Sequence, residues 1–507
     1  MDFASRLDSW IAPIAPAWAA SRMEARNRFA VHQQAGEMIR QYDAAQSGRR
    51  TAGWPRSASS ANSELQRGGQ MLARAAHDLA RNNKYAGAGI RQMVGMMWGD
   101  GIVPQFSHED RAVAQLMQDD WDRWAESKVD GVGDWYGHGK IACREMVVGG
   151  ESLTLWGSDG REPFNQVMGL EGAQLDPAKT MPIDDGRARI VQGVELGAGN
   201  RPRAYWIFPD HPNEVMFARS LVSKRVDGTR VDHLFERQRF GQARGASWLA
   251  AVAMTLRDIS EIEDAARMRE KIQACLALII TPKEGSEASP LSATENDSHG
   301  RANAIERLSP GMIHKVKAGE QVHTIDPQPS QTTVRFVQQQ LAAVSANMAP
   351  YHLMTGDVSQ ANYSSLRAAM NGAYTNVDDW QQNEVIPLLC RPAVARRMQV
   401  AALKHGDPRL LEVKTNYALP KRRMVDPVKD LAAEVMEMRS GLSTLKKKLA
   451  ERGENVDDHL RDIEDMNRRL DDAGIALDSD PRKVMGSGKL QDPVGYLAGG
   501  QRDDTEN

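Results

Sequence analysis

The 507-residue chain is predicted to fold as a mixed α+β protein of several subdomains with unusually long helices. Three observations predict this. Between Glu151 and Phe240 short apolar segments alternate with Gly, Pro and Asp turns, the mark of strands. Ser247 then opens a run whose apolar positions recur mostly every three or four residues as far as Cys275, the mark of a helix. Finally, a chain of this length exceeds one hydrophobic core, since cores stop growing at roughly 250 to 300 residues. Hydrophobic residues make up 41% and charged residues 26%, which suits a globular protein rather than a disordered one.

The elements follow in order. A helix over Met23–Tyr42 leads into a Gly-, Ser- and Arg-rich connector through Trp54, Pro55 and Ser57 to Ser60. From Met71 to Met97, the residues Leu72, Leu79, Tyr85, Ile90 and Val94 predict one or two helices broken near Gly87 and Gly89, and the turn Gly99, Asp100, Gly101 ends them. Residues 111–126 return to helix through Val113, Leu116, Met117, Trp121 and Trp124. In the β-rich stretch the strand candidates are Ser152–Trp156, Ile190–Leu196, Ala204–Phe208 and Val231–Phe235.

Ser247 can cap the long helix that carries Leu249, Val252, Leu256, Ile259, Ile262, Ala266 and Ile272, and at ~1.5 Å per residue it would span roughly 40 Å. A strand over Leu276–Thr281, a polar loop over Lys283–Asn303 and a hairpin of Gly311–Val316 with Gln321–Ile325 come next. Val334, Val337, Leu341, Val344 and Met348 then define a second helix stopped by Pro350. Tyr351–Tyr363 reads as a loop containing Gly356, and Ser364 can cap a third helix running through Leu366, Met370, Val377, Trp380 and Val385 towards Pro387. Charge-rich helices over Val428–Leu449 and Val456–Ala473 precede a Gly-punctuated tail after Asp478 that is expected to be poorly ordered.

Several function classes find no support. No apolar run approaches the ~20 residues of a membrane span. Met1–Arg22 mixes Asp2, Arg6 and Asp8 with Trp10, Pro13 and Pro16, which does not read as a signal peptide. Cys143, Cys275 and Cys390 are too widely spaced for a disulfide framework or a Cys-based zinc site, which fits a reducing cytoplasm. A net charge of −3 means that nucleic-acid contact cannot rest on a globally basic surface.

Gly486, Ser487, Gly488 and Lys489 resemble a phosphate-binding loop only superficially, because Lys483 and Leu490 stand where a Gly and a hydroxyl residue are needed. His314 and His323 lack ligand spacing and read as surface residues, and Cys143 and Cys390 lack an activating motif. The acidic pairs Asp119 with Asp120, Asp378 with Asp379 and Asp457 with Asp458 read as solvated helix faces, because adjacent helical residues diverge by about 100°. The mixed charges Arg257, Asp258, Glu261, Glu263, Asp264, Arg267, Arg269, Glu270 and Lys271 read as a solvated face or, in a ring of helices, as pairs between neighbours. No catalytic residue, metal ligand or cofactor is expected.

Four strings carry a family resemblance. The run Gly241, Gln242, Ala243, Arg244, Gly245, Ala246, Ser247, Trp248, Leu249, Ala250 resembles "PGQxRGxPWLAP" of the lambda-like phage portal proteins, with Phe240 and Ser247 where proline is usual. Leu353 to Arg367 is similar to the family's "LTGDxSxxNYSSxR". Arg81, Asn82, Asn83, Tyr85 and Ala86, with Gly99 to Ile102, resemble "RNNPYAxxAI…VGxGI", Lys84 replacing proline. Asp426, Pro427 and Lys429, with Gly441, Leu442 and Thr444, resemble "DPxKE…GLxT".

The resemblance implies a portal fold with wing, stem, clip and crown regions, in a dodecameric ring at one capsid vertex of the virion, assembled in the host cytoplasm. It implies an N-terminal arm (1–70), a wing (71–246), stem helices (247–275 and 332–349), a clip (276–331) and a tunnel loop (350–363). A long wing helix and return (364–429), a crown-like region (430–475) and a flexible tail (476–507) complete it.

The implied DNA-facing residues are His352, Leu353, Met354, Thr355, Gly356, Asp357, Val358, Ser359, Gln360, Ala361, Asn362 and Tyr363. Stem packing falls to Leu249, Val252, Leu256, Ile259, Val334, Val337, Leu341 and Val344, and contact with terminase or an adaptor to Lys283, Glu284, His314, Lys315, Lys317 and Glu320. Implied partners are further copies of the chain, double-stranded DNA read without sequence preference, the terminase large subunit, the major capsid protein, head-tail connector proteins and scaffold, with no membrane. Two readings compete: another oligomeric capsid or head-tail joining protein, and a DNA-processing enzyme.

Overall fold

The computed structural model describes residues 58–183, 188–214, 222–275, 331–359, 361–422, 426–451 and 456–474, four short strands between 279 and 323, and scattered residues before 58. Residues Met1–Ser60 and Ala61–Asn507 are separate units. In the first, Glu24, Ala25 and Arg28 are helical, and the rest of the expected Met23–Tyr42 helix lies outside the described residues.

The second unit is α+β. Its helices are α1 (Ala61–Asn82), α2 (Lys84–Met97), α3 (Arg111–Ala125), α4 (Trp135–Val148), α5 (Ala253–Cys275), α6 (Gln331–Ser345), α7 (Tyr351–Thr355), α8 (Tyr363–Trp380), α9 (Arg391–His405), α10 (Pro427–Arg439), α11 (Leu445–Glu451) and α12 (Val456–Asp472). Its strands are β1 (Val103–Ser107), β2 (Glu151–Gly157), β3 (Gln166–Glu171), β4 (Met181–Pro182), β5 (Arg189–Val191), β6 (Val194–Leu196), β7 (Pro202–Ile207), β8 (Lys224–Asp227), β9 (Val231–Phe235), β10 (Ile279–Thr281), β11 (Thr294–Asn296), β12 (Ala302–Ala304), β13 (Gln321–His323) and β14 (Lys414–Ala418).

The main core joins α2, α3, α4, the start of α5, α6 and the helical run after α8. At its centre Trp121, Trp124, Trp135 and Trp156 form a continuous aromatic cluster, with Trp124 stacked on Trp156 at 5.7 Å between centroids. Burying an indole of this size is worth roughly 5 kcal/mol before the entropy of ordering it. An antiparallel sheet in the order β3-β2-β9 backs this cluster, and a five-stranded meander, β4 to β8, holds a second, smaller core. β1 and β14 pair antiparallel, Val103 opposite Ala418.

Several expectations are corrected. The break between α1 and α2 falls at Asn83, not at the glycines. Asn83 caps α2 by accepting from the Tyr85 and Ala86 amides, and its own amide donates to the Leu256 carbonyl and to Ser260 Oγ of α5. α4 was not expected, because Gly137 and Gly139 interrupt its apolar pattern; Gly139 is required there, since a Cβ would sit 2.0 Å from the Trp98 ring. Ile190–Leu196 is a hairpin, not one strand: Gln192 (φ 49°) and Gly193 (φ 86°) make the two-residue turn between β5 and β6.

Ser247 does cap a helical turn, a 3₁₀ segment at Trp248–Ala251, after which α5 proper has 23 residues and a length of about 34 Å. β13 pairs with β10, while the other expected hairpin strand, Gly311–Val316, lies outside the described residues. Within the stretch expected as a polar loop, β11 pairs with β12. The third helix does not stop at Pro387: a π-helical stretch, Gln381–Cys390, carries it into α9, absorbing the amide that proline lacks. Its cap is Asn362, in a reciprocal box with Ser365, rather than Ser364. Among the described residues the last charged helices are three, with Ser440 to Thr444 interrupting Val428–Leu449.

Candidate functional site

The segment 350–363 is held at both ends. α6 ends at Ser345, a tight turn carries the buried Met348 and Ala349, and Pro350 opens the single-turn helix α7, so that the first part of the expected loop, Tyr351–Thr355, is helical. Met354 of α7 is buried, and both it and Met348 pack on Gly89 of α2, where a Cβ would lie 2.9 Å from Met348 Cε. Gly356 takes the left-handed conformation (φ 73°) that ends α7. Asp357 then organises the turn: its Oδ1 accepts from the Ser359 amide and hydroxyl, and Tyr351 donates to its Oδ2 at 3.3 Å. These donors hold the Asp357 carboxyl below its usual range, with Ser359 the main cause.

What the segment exposes is its tip, Gly356, Val358 and Ser359, together with Asn362 and Tyr363; His352, Leu353, Thr355 and Ala361 are half-buried, and Gln360 lies outside the described residues. A cleft of about 420 Å³ opens between the segment and α8, lined by Tyr351, His352, Asp357, Ser365 and Ala369 among others. By sequence the segment carries Asp357 and His352 but no lysine or arginine before Arg367. In the fold, Arg367 donates to the Tyr363 hydroxyl at 3.2 Å and pairs with Asp430, while Lys429 lies over the Tyr363 ring at 5.3 Å. The string around Asp426 and Lys429 therefore meets the string around Tyr363, which spacing along the chain could not reveal.

The flanking helices are anchored in the core. Leu249, Val252, Leu256, Ile259, Leu341 and Val344 are buried and Val337 is partly so. Val334 is 59% exposed, as are Met254, Met268 and Phe336 in large part. Along α5 several exposed charges pair within the helix, among them Arg257 with Glu261 and Arg267 with Asp264. Glu263 is the exception, joined to Lys84 at 2.8 Å and to the Tyr85 hydroxyl at 2.6 Å. Asn83, Lys84 and Tyr85 thus lock α2 against α5.

The string around Arg244 is a buried hub. The Arg244 guanidinium donates to Glu151 Oε1 (2.7 Å) and to the Gln192 and Gly172 carbonyls, and His233 completes the carboxylate's shell at 2.9 Å. Burial pushes the Glu151 carboxyl up, but Arg244 and His233 outweigh it and leave it at about 2. Asp120 was expected on a solvated face and is instead buried, at 2.8 Å from Arg397 and 3.1 Å from Lys404. Asp378 is half-buried and paired with Arg422, whereas the side chains of Asp457 and Asp458 lie outside the described residues.

Cys143 and Cys390 are buried free thiols, and burial pushes both far above the range of a nucleophile. Lys283, Glu284, His314, Lys315, Lys317, Glu320 and the Gly486–Lys489 string all lie outside the described residues. Among the described residues no helix is long and apolar enough to cross a membrane.

Comparison with known proteins identifies the class as phage portal proteins. The family model described as phage portal protein, lambda family, matches residues 47–381, and the chain belongs to that family. It is 20% identical over 433 residues to the portal protein of Escherichia phage N15, an alignment covering 75% of this chain and 80% of that one. It is 23% identical over 319 residues to the probable portal protein of Halomonas phage phiHAP-1, and there spans only 60% of either chain. Among solved structures, a chain from the neck of a native gene transfer agent particle, computed with C12 symmetry, matches at 14% identity and a TM-score of 0.40, covering 76% of this chain and 99% of its own, a likeness too loose to carry function. Proteins of this family are structural components of the phage particle.

Proposed function

We propose that this portal protein forms a closed, dodecameric ring at one capsid vertex, and that double-stranded DNA passes through its axial channel during packaging and ejection. The observation that carries this reading is the segment 350–363: a turn built by Asp357 and Gly356, pinned to the core through Met348 and Met354, with its tip free. Such a tip can line a channel while its ends stay rigid. A channel should hold DNA weakly, because each neutralised phosphate adds salt-dependent affinity that would brake translocation. The tip itself offers no lysine or arginine, and the nearby Arg367 is neutralised by Asp430.

In this reading 71–246 is the wing, α5 and α6 are the stem, 276–331 is the clip, α8 to α9 the long wing helix, and 430–475 a crown-like region. The exposed Val334, Phe336, Met254 and Met268 would be covered by the neighbouring subunit, as large apolar side chains on a stem favour. Clip residues including Lys283, Lys315 and Glu320 would dock the terminase large subunit, whose ATPase supplies the packaging work, and then head-tail connector proteins. The major capsid protein and scaffold would contact the outer ring during assembly in the host cytoplasm. The chain itself catalyses nothing in this scheme.

Electron cryomicroscopy of the purified full-length chain tests the proposal: a closed twelvefold ring with an axial hole is expected. A monomer, or a closed shell without such a hole, would overturn it.

A further inference from the structure

Away from the candidate channel segment, three elements converge on one point. α1 brings His77, α4 brings Glu145 and the end of β3 brings Glu171. His77 Nε2 lies 3.2 Å from Glu145 Oε1, and one ligand atom from each of the three residues lies within 4.8 Å of the others. We propose that His77, Glu145 and Glu171 bind a divalent first-row transition metal ion, of which zinc is the representative, as a structural staple between α1, α4 and β3.

The donor set has the composition such an ion takes. One imidazole and two carboxylates suit zinc or manganese, and three protein donors leave a position for water. Donors around a zinc ion stand about 2.0–2.2 Å from it, so the most distant pair would have to close by roughly 1 Å. The partner that can move is Glu171, whose side chain is 47% exposed against 12% for Glu145 and whose carboxylate also caps the turn at Gly172–Gln174.

The rigid partner is held in place by shape. Gly149, which caps α4, abuts the Glu145 carboxylate so closely that a Cβ there would sit 1.9 Å from Oε1. Beyond the three ligands, His211 Nε2 lies 3.3 Å from Glu171 Oε2, the kind of outer partner that orients a ligating carboxylate.

The charge balance also favours a cation. The two carboxylates lie close together, and among the described residues no lysine or arginine forms an ion pair with either, Arg144 acting on Glu145 only from a longer range. A bound dication would neutralise both carboxylates and replace the His77–Glu145 hydrogen bond with two coordinate bonds, the proton on His77 Nε2 passing to Nδ1 in a neutral ring or to solvent from an imidazolium.

The test uses the full-length chain stripped with chelator and then titrated with zinc chloride, with thermal unfolding and metal content as readouts. One zinc per chain and a rise of several degrees in the melting midpoint are expected, with magnesium giving no comparable rise because it disfavours imidazole. Glu171→Gln, on a half-exposed side chain, should fold normally by circular dichroism and weaken zinc binding at least tenfold, as should His77→Gln. The proposal is overturned if zinc does not stabilise the wild-type chain, which would leave two separate imidazole–carboxylate pairs. It is equally overturned if both folded variants retain wild-type zinc content and stabilisation.

Discussion

His138 illustrates how much a single buried side chain can couple this fold to pH. Its ring is stacked on Trp135, and its Nε2 lies 2.9 Å from Thr154 Oγ1. Burial lowers its pKa from 6.5 to about 4. The unfolded imidazole takes a proton below pH 6.5 while the folded one does not until about pH 4, so stability must fall as pH drops across that window. The loss is about 3 kcal/mol, at 1.36 kcal/mol per unit. In urea titrations at stepped pH, His138→Gln is expected to flatten this part of the profile relative to wild type; equal slopes would show that the imidazole does not titrate as its burial demands. Asn83 acts at the same scale without titrating, since one amide both caps α2 and bridges to α5. Its place in the string from Arg81 to Ala86 was legible, but its double role was not, because the partner on α5 stands 173 positions away.

At the scale of elements, α6 separates two kinds of apolar residue that its periodicity treats alike. Leu341 is buried in the main core, whereas Val334, two turns earlier, faces solvent. Leu341→Asp places an unpaired charge in the core and should cost more than about 3 kcal/mol, unfolding the chain before any question of assembly arises. Val334→Asp should change the stability of the isolated chain by no more than about 0.5 kcal/mol and yet abolish rings if the stem interface lies there. Size-exclusion chromatography with light scattering on both variants distinguishes folding from assembly; rings formed by Val334→Asp would move the interface elsewhere. The run from α8 through the π-helical stretch to α9 makes a related point. Pro387 lies within the helical run rather than at its end, because a register shift of the helical hydrogen bonds accommodates it where the surrounding core, Val385, Ile386 and Leu389, rewards continuation.

For the whole molecule, the proposed channel function depends on an exposed tip carried by buried ends. Deleting Thr355 to Ala361 should leave ring assembly intact and impair packaging or retention of DNA; full heads at wild-type yield from the deletion mutant would remove the segment from the channel. The sequence by itself determined the α+β class, the two core-facing helices around the segment 350–363 and the family strings, because period and local turn chemistry are written within a few residues of one another. Only the tertiary structure decided the pairing of β1 with β14, the burial of Asp120 beneath Arg397, the approach of Lys429 to Tyr363 and the convergence of His77, Glu145 and Glu171. Each joins residues far apart in the chain. Such contacts depend on which faces the core brings together, and a charged residue on a helix reads as solvated until its partner from another element is in place.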